Sequence, residues 1–432
     1  MNPRATSRGP ILAFVLLFAA SNTPAGAESV RIKTARGTYL VEVEAPDVTV
    51  RGDGDDLVVS RLKGDEIRLR LDVDRADRSA KEPALTVRRD GKPIVTARRI
   101  ASGPASPFVD APGRTVLGSG STGSAWGLAI TPDGKTLVSG HRGFLRVWDL
   151  PELAERYNAP TERTVRRVAI TPDGSTIVSA EYDQSTGKTL GNLVLRDAKT
   201  GKVIREFPSI ETGLHGVTID PARKVMVSSS WSEQALRVWD VEKGEQVGTL
   251  KGHTGAVGTV TFSPDGKTLA SGGGEGIRIW DVDTGEVRKV LRGHMKSVES
   301  VAFSADGKRL ASGGFDDTAR AWDVASGKLL VTVQQDEPVL SVAISPDGKS
   351  FASASSRWGN GFFGQAPAEV QVWDVATGKP LATLPEQPNQ IFAMVFIPDG
   401  KSLITASLSG AVTVWDLDTF RVDQERPKAT PF

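Results

Sequence analysis

Short apolar segments separated by polar turns make up most of the chain, and their arrangement repeats. Each repeat begins with an alternating apolar segment that leads into a turn such as Ser263-Pro264-Asp265-Gly266. Pro fixes φ in this turn, Asp bonds back to the backbone, and Gly accepts a positive φ. A small-residue segment such as 269–273 follows, then an apolar segment that ends in Trp-Asp, and then a Thr-Gly turn. This punctuation predicts four β-strands in each repeat, joined by hairpins.

The Trp-Asp dipeptide marks each unit, and Arg196-Asp197 fills the one vacancy in the series. The interval is roughly 40 to 50 residues, which is the period of a four-stranded propeller blade. The sequence therefore predicts seven blades that bury one another in a ring. The dipeptides are Trp148-Asp149, Trp239-Asp240, Trp280-Asp281, Trp322-Asp323, Trp373-Asp374 and Trp415-Asp416.

From about Thr115 to its end, the chain resembles the WD-repeat (Trp-Asp) β-propeller family. Two units also carry the family's Gly-His pair, at Gly252-His253 and Gly293-His294. The resemblance implies a structural role for both histidines. It also implies a hydrogen-bonded relay inside the fifth unit, made of His294, Ser312, Asp316 and Trp322.

The region before the propeller has a different pattern. Between residues 28 and 100, apolar and charged residues alternate in short runs, which predicts a small antiparallel β domain. Its 33–50 stretch resembles, more loosely, PEGA-like β modules. Residues 101–113 are rich in Pro, Ser and Gly and read as a linker to a propeller at 114–432, although Phe108 and Val109 could instead lie against the propeller edge. The 114–117 segment stands where an outer strand would complete the last blade, and we expect it to close the ring, although the segment after Asp416 could compete for that place.

The first 27 residues have the features of a secretory signal peptide. Arg4 and Arg8 precede the apolar run 11–20, and small residues at Ala25 and Ala27 frame a cleavage site. The apolar run is too short to span a hydrocarbon core of about 30 Å. We therefore expect a secreted or periplasmic protein with no stable membrane insertion after cleavage.

Composition narrows the possible chemistry. The 432 residues carry 53 Lys plus Arg and 52 Asp plus Glu, a net charge of +1, which gives no electrostatic case for nucleic acid. There is no cysteine, so disulfides and thiolate metal sites are excluded. No catalytic triad, metal-spaced histidine pair or phosphate-binding glycine motif is present. We therefore expect no catalytic residue, no metal and no cofactor.

The candidate chemistry lies on the propeller surface. One residue near the start of each inner strand is expected to face the rim of the central channel; these are Trp126, Arg166, His215, Gly258, Glu299, Leu340 and Phe392. Inserted or aromatic loops fall on the same face and carry Tyr182, Trp231, Trp358, Phe362 and Phe363.

Exposed aromatic side chains are enriched at binding hot spots. The sequence therefore predicts an apolar arc, composed of Trp126, Leu340, Trp358, Phe362, Phe363 and Phe392, with Trp231 and Tyr182 nearby. We expect a non-catalytic scaffold that uses this arc to bind a protein partner. The alternatives are a hydrolase or oxidoreductase at the channel mouth, a glycan or peptidoglycan ligand on the same residues, and docking of the small β domain onto the arc.

Overall fold

The computed structural model describes residues 28–34, 37–43, 48–53, 56–61, 66–70, 84–89, 92–99, 108–117, 123–183, 190–222, 224–274, 276–357 and 367–422. It divides into two compact units, Met1–Gly103 and Pro104–Phe432. The region proposed as a signal peptide lies outside the described residues.

The described residues of the first unit form seven strands, and these fall where the alternating pattern predicts them. They are β1 (Glu28–Thr34), β2 (Gly37–Val43), β3 (Val48–Asp53), β4 (Asp56–Arg61), β5 (Glu66–Arg70), β6 (Ala84–Arg89) and β7 (Lys92–Arg99). They form two antiparallel sheets, ordered β1-β2-β7-β6 and β3-β4-β5. The small β domain at 28–100 and its resemblance to PEGA-like modules stay predictions.

The second unit consists of six sheets. The first contains β10 (Ala125–Ile130), β11 (Thr136–Asp149), β12 (Ala154–Ile170), β13 (Thr176–Asp183), β14 (Leu190–Asp197) and β15 (Val203–Glu206). The next two contain β16 (Leu214–Ile219), β17 (Val225–Ser230), β18 (Ala235–Asp240) and β19 (Glu245–Lys251), then β20 (Val257–Phe262), β21 (Thr268–Gly273), β22 (Gly276–Asp281) and β23 (Val287–Leu291).

The other three sheets follow the same order. Two of them contain β24 (Val298–Phe303), β25 (Arg309–Gly314), β26 (Thr318–Asp323) and β27 (Leu329–Gln334), then β28 (Val339–Ile344), β29 (Ser350–Ser356), β30 (Ala368–Asp374) and β31 (Pro380–Thr383). The last contains β32 (Ile391–Phe396), β33 (Ser402–Ser407), β34 (Val412–Asp416), β9 (Arg114–Leu117) and β8 (Phe108–Ala111).

The expectation of seven separate blades is wrong in this form, because the first sheet has six strands and serves two sequence repeats. Its strand β12 pairs with β11 along its first part and with β13 along its second part. At two other junctions a glycine of positive φ turns the chain, Gly252 with φ of 157° and Gly293 with φ of 146°. Residues 154–170 contain no such glycine, and the backbone stays extended from one repeat into the next.

The innermost strands contact one another in a closed cycle: β10, β12, β16, β20, β24, β28 and β32, then β10 again. The chain's earlier strand closes the last sheet, since β9 pairs with β34 through Val116 and Thr413 among others. The expected closure by 114–117 is confirmed. In the segment read as a linker, β8 adds to the same edge, with Val109 opposite Thr115.

The core lies between neighbouring sheets. In one cluster, Val370 of β30 packs with Met394 and Leu403 of the next sheet. Each sheet also buries a Trp-Asp indole or its equivalent, and Trp280 donates from Nε1 to Ser271 Oγ at 2.8 Å. Burial of indoles on both sides of each sheet explains why isolated blades would not be stable.

Candidate functional site at the channel mouth

Every innermost strand carries a β-bulge at the same position. In β24, Val298 pairs with Gly314 and Ser300 pairs with Gly313, so Glu299 between them is left out of the ladder. A bulge redirects the side chain of its extra residue and is common beside binding sites. The bulged residues are Trp126, Arg166, His215, Gly258, Glu299, Leu340 and Phe392. They are the same seven residues that repeat alignment places at the channel rim, and we call them the bulge ring.

An aromatic and arginine stack occupies one side of the bulge ring. The rings of Trp126 and Phe392 stack with centroids 4.4 Å apart. The guanidinium carbon of Arg166 lies 5.1 Å from the centroid of Trp126 and 5.7 Å from that of Tyr182. A guanidinium held over two aromatic faces is restrained and partly desolvated.

A second stack links the sheet of β16–β19 with the sheet of β24–β27. His215 lies parallel to Trp231 at 4.5 Å, and Trp231 meets Phe315 edge-on at 6.2 Å. Burial and the positive charges of Arg166 and Arg167 lower the pKa of His215 to about 2. This imidazole is therefore neutral at physiological pH.

Glu299 is the acidic member of the bulge ring. Its residue is only 8% exposed, and its Oε2 atom has no hydrogen-bond partner. Burial raises the pKa of Glu299 to about 7, although Arg167 and Arg166 oppose the shift. Gly258 leaves room beside it, since a Cβ there would lie 2.8 Å from Trp231 Nε1 and 3.4 Å from Glu299 Oε2.

Arg167 hydrogen-bonds to the backbone of two bulge-ring residues. Its Nη1 donates to the carbonyl oxygen of Trp126 at 2.8 Å and to that of Arg166 at 3.2 Å. Burial lowers the pKa of Arg167 to about 10, while the charge of Glu299 acts in the opposite direction. The adjacent arginines near the end of β12 are the sequence signal for this cluster, and the apolar-arc hypothesis did not use it.

The structure corrects the expected apolar arc. Trp126, Leu340 and Phe392 are 5%, 3% and 9% exposed, so the rim presents them edge-on or covered instead of as an open hydrophobic surface. Trp126 and Phe392 bury each other's ring faces, and Arg166 covers Trp126 further. Tyr182 and Trp231 are half-buried. The other proposed contacts, Trp358, Phe362 and Phe363, lie outside the described residues.

The four relay side chains proposed for the fifth unit are brought together by β25, β26 and the loop before β24. His294 Nε2 lies 2.8 Å from Ser312 Oγ, and Trp322 Nε1 donates to the same oxygen at 2.8 Å. His294 Nδ1 lies 3.0 Å from Asp316 Oδ1.

Asp316 connects the hydrogen-bonded relay to the backbone. Its carboxylate accepts the N–H of Met295 at 2.9 Å and the hydroxyl of Thr318 at 2.8 Å. Burial acts to raise the pKa of Asp316, but hydrogen bonds from His294, Met295 and Thr318 outweigh it and hold that pKa well below its usual range. A set of side chains so fully engaged internally has little left for a ligand.

Two other repeats contain variants of the relay that the sequence did not predict. In the first repeat, His141 replaces the missing Gly-His histidine from a different strand, and its Nε2 lies 2.9 Å from Ser139 Oγ. In the second repeat, Arg196 Nη2 donates to Glu181 at 2.8 Å, and Glu181 also accepts from Ser179 Oγ at 2.7 Å. His141 thus takes the role of the Gly-His histidine, and Arg196 stands at the tryptophan position. Neither matches the sequence motif of the family, so the motif alone does not reveal them.

Nothing in the described part of the chain suggests a metal centre or a membrane span. Over those residues, no group of three or more His, Asp or Glu side chains is placed to hold a metal ion. Likewise, they include no helix with the length and apolar character needed to cross a membrane.

A closed ring of antiparallel sheets with a bulge on each inner strand defines a β-propeller, and sequence comparison gives its family. The WD40 family, described as WD domain, G-beta repeat, matches residues 113–149, 244–281, 285–323, 327–359 and 378–416. Nuclear distribution protein PAC1 of Coccidioides posadasii is 30% identical over 381 residues, which cover 81% of this chain and 69% of that protein. The chain belongs to the WD-repeat family. Residues 150–243, which include Arg196, fall between the matched segments.

Shorter matches connect the chain to other WD-repeat proteins. Target of rapamycin complex subunit wat1 of Schizosaccharomyces pombe is 32% identical over 120 residues, 27% of this chain and 35% of that protein. Small ribosomal subunit protein RACK1y of Oryza sativa subsp. japonica is 26% identical over 208 residues, 46% of each chain. The chain thus spans about a third of the length of the first of these two and about half of the second.

Proposed function

We propose that this protein is a non-catalytic scaffold that binds a protein partner across the channel mouth. The observation that carries the proposal is the bulge ring, which places one bulged residue per inner strand at the same end of the channel. In this proposal the six-stranded sheet acts as two repeat units, so that seven residues contribute to one surface.

The loops between second and third strands extend the surface. Val339, which precedes Leu340, pairs with Ser355 near the end of β29. The loop from β29 to β30 therefore leaves the sheet at the same edge as the bulges. Arg357 anchors its start, because Gln390 Nε2 donates to the Arg357 carbonyl at 3.1 Å and Arg357 Nε lies 3.3 Å from Glu337 Oε1. Trp358, Phe362 and Phe363 belong to this loop, and we assign them to the partner surface together with Trp231 and Tyr182.

The names of two relatives agree with a scaffold role. One is a subunit of the target of rapamycin complex, and the other is a protein of the small ribosomal subunit. Both proteins are thus named as parts of larger assemblies. Transfer of that role to this chain is part of our proposal.

The charged groups at the mouth favour binding over catalysis. Glu299 titrates near neutrality, but His215 is held neutral and Arg167 is committed to backbone carbonyls. A general acid and base pair requires two groups whose protonation can alternate at the operating pH. Glu299 alone does not meet that requirement.

We further propose that the mature protein acts outside the cytoplasm. The support is the pattern of Arg4, Arg8, the apolar run 11–20 and the small residues at Ala25 and Ala27. The partner is then an envelope or extracellular protein of the same organism.

Capture experiments with the full chain test the binding face. The wild-type protein, the Trp231→Ala variant and the Ile204→Ala control would be immobilised and exposed to the extracytoplasmic fraction. Ile204 is an exposed apolar residue on the outer strand β15, 54% exposed, and is away from the bulge ring. We expect Trp231→Ala to lose the partner and Ile204→Ala to retain it. Equal retention by both variants would refute the assignment of the face, and a glycan as the captured species would refute the protein partner.

A further inference from the structure

Arg166 is the member of the bulge ring best placed to receive a ligand. Among the described residues its side chain has ring contacts with Trp126 and Tyr182 but no hydrogen-bond acceptor or ion-pair partner. Stacking occupies the faces of a guanidinium and leaves its N–H edge available. Such a restrained fork matches a carboxylate, which accepts two parallel hydrogen bonds.

The charges around Arg166 favour an anion. The groups that act on it or on its neighbours are Arg167, Tyr182, His215 and Glu299. Arg167 adds a second positive charge, while His215 is neutral. Glu299 is the one acid among them, and its buried Oε2 has no partner.

Glu299 can assist an anion when it is protonated. A neutral carboxyl group donates one O–H hydrogen bond, whereas a carboxylate can only accept. Burial favours the neutral form up to a pH of about 7. The cluster then offers the Arg166 fork and one carboxyl donor that interacts with it electrostatically, with a net positive charge.

We propose that Arg166 is the receptor for a carboxylate on the partner's contact segment, with protonated Glu299 as a second donor. This inference rests on the proposed function and names the chemistry of the same face. The occupant is an acidic segment of a protein, and its carboxylate comes from Asp or Glu side chains or from a chain terminus.

Synthetic peptides distinguish these sources. The full-length protein would be titrated with a short glutamate-rich peptide with blocked ends, its glutamine counterpart, and a neutral peptide with a free C-terminal carboxylate. We expect one of the two carboxylate peptides to bind and the glutamine peptide to bind at least about tenfold more weakly, as loss of charge-assisted hydrogen bonds implies. Equal affinity for the glutamate and glutamine peptides, together with no binding of the free carboxylate, would overturn the inference. Preference for a phosphorylated peptide over both carboxylates would overturn it as well.

Variants then assign the interaction to Arg166. Arg166→Gln is expected to weaken binding of the preferred peptide by about ten- to a hundredfold, and Arg166→Lys by less because the charge remains. Arg205→Gln removes the same charge from the outer strand β15 and should leave the affinity unchanged. Thermal unfolding checks that each variant is folded. If Arg166→Gln binds like the wild type, the inference fails.

The pH dependence isolates Glu299. Wild-type affinity should fall as the pH rises from 6 to 8, because Glu299 loses its proton and repels the carboxylate. Glu299→Gln should bind with little change over that range. If capture of the native partner depends on Trp231 but not on Arg166, the scaffold function stands and the carboxylate inference fails; if it depends on neither, the scaffold function itself fails.

Discussion

Arg196 donates from Nη2 to Oε1 of Glu181 at 2.8 Å, and both side chains are buried. Arg196 stands where the other repeats have the tryptophan of Trp-Asp. Glu181 follows Ser179, which is the position of the serine that accepts the indole N–H in other units. The second repeat has thus replaced a neutral relay with a buried ion pair.

The Arg196–Glu181 ion pair changes the expected effect of replacing Arg196 by Trp. Alignment predicts that Arg196→Trp is tolerated, because the family places Trp there. The structure predicts a loss of about 3 kcal/mol in the free energy of unfolding, at the lower end for a broken buried pair because Arg163 Nη1 remains 3.9 Å from Glu181 Oε2. Urea denaturation of the variant measures this loss. The double variant Arg196→Trp, Glu181→Ala should recover part of it, and a single variant as stable as wild type would contradict the prediction.

Asp316→Ala should destabilise the propeller by about 1–3 kcal/mol, because His294, Thr318 and the Met295 N–H lose a shared acceptor. The depressed pKa of Asp316 means that its contribution is fully present above the ordinary aspartate pKa and declines as the pH falls below about 4. Chemical denaturation at neutral and acidic pH measures both effects. Asp283→Ala, at an exposed turn position, is the control. Normal melting with lost partner binding would instead give Asp316 a direct role in recognition.

Glu299→Gln should stabilise the protein at pH 8 and have little effect at pH 4. The folded-state pKa of Glu299 is raised, so the folded state binds more protons than the unfolded state between about 4.5 and 7. Stability from this group therefore falls as the pH rises through that range, by up to about 3 kcal/mol. Unfolding curves at several pH values measure the difference. An identical pH slope in the variant would show that Glu299 is ionised at neutral pH.

The aromatic residues that we assign to the partner surface or the bulge ring divide into two groups with different expected effects. Trp358→Ala with Phe362→Ala should remove about 2 kcal/mol or more of partner binding and leave the melting temperature nearly unchanged. Phe392→Ala should instead cost about 3–5 kcal/mol of stability, because Phe392 is buried against Trp126. Binding isotherms and melting curves of the two variants separate the groups. A large loss of stability in the loop variant would place its aromatic side chains in a structural role.

Cleavage after Ala27 should give a mature chain that begins at Glu28. Mass spectrometry of the protein from its native host measures the N-terminus directly. Retention of Met1 or of the apolar run 11–20 would exclude the proposed location.

Repetition in the sequence is what made the channel mouth predictable. Aligning the units places one residue per inner strand at the rim, and each of those seven residues is the bulged one in the structure. The burial of Leu340 and Phe392 could not be read in the same way, because it depends on side chains from neighbouring sheets that are distant in sequence. The ion pair could not be predicted for a related reason: Arg196 is the exception in the Trp-Asp series, but its partner Glu181 lies on a different strand and nothing in the sequence links the two.

The sheet count failed for a local reason. The sequence marks repeats by Trp-Asp, but a sheet ends only where the backbone turns away. Strand β12 continues through the boundary between two repeats, at residues 154–170, whereas the chain leaves the sheet at the later repeat boundaries.

Closure of the last sheet by β9 imposes an order of events on biosynthesis. Strand β9 leaves the ribosome early, and its partner β34 is made nearly three hundred residues later. At ordinary elongation rates the ring therefore stays open for roughly 15–60 s, with two unpaired sheet edges available to other chains. The joining of the circle is thus a late event that waits for β34, and all seven inner strands are made before it.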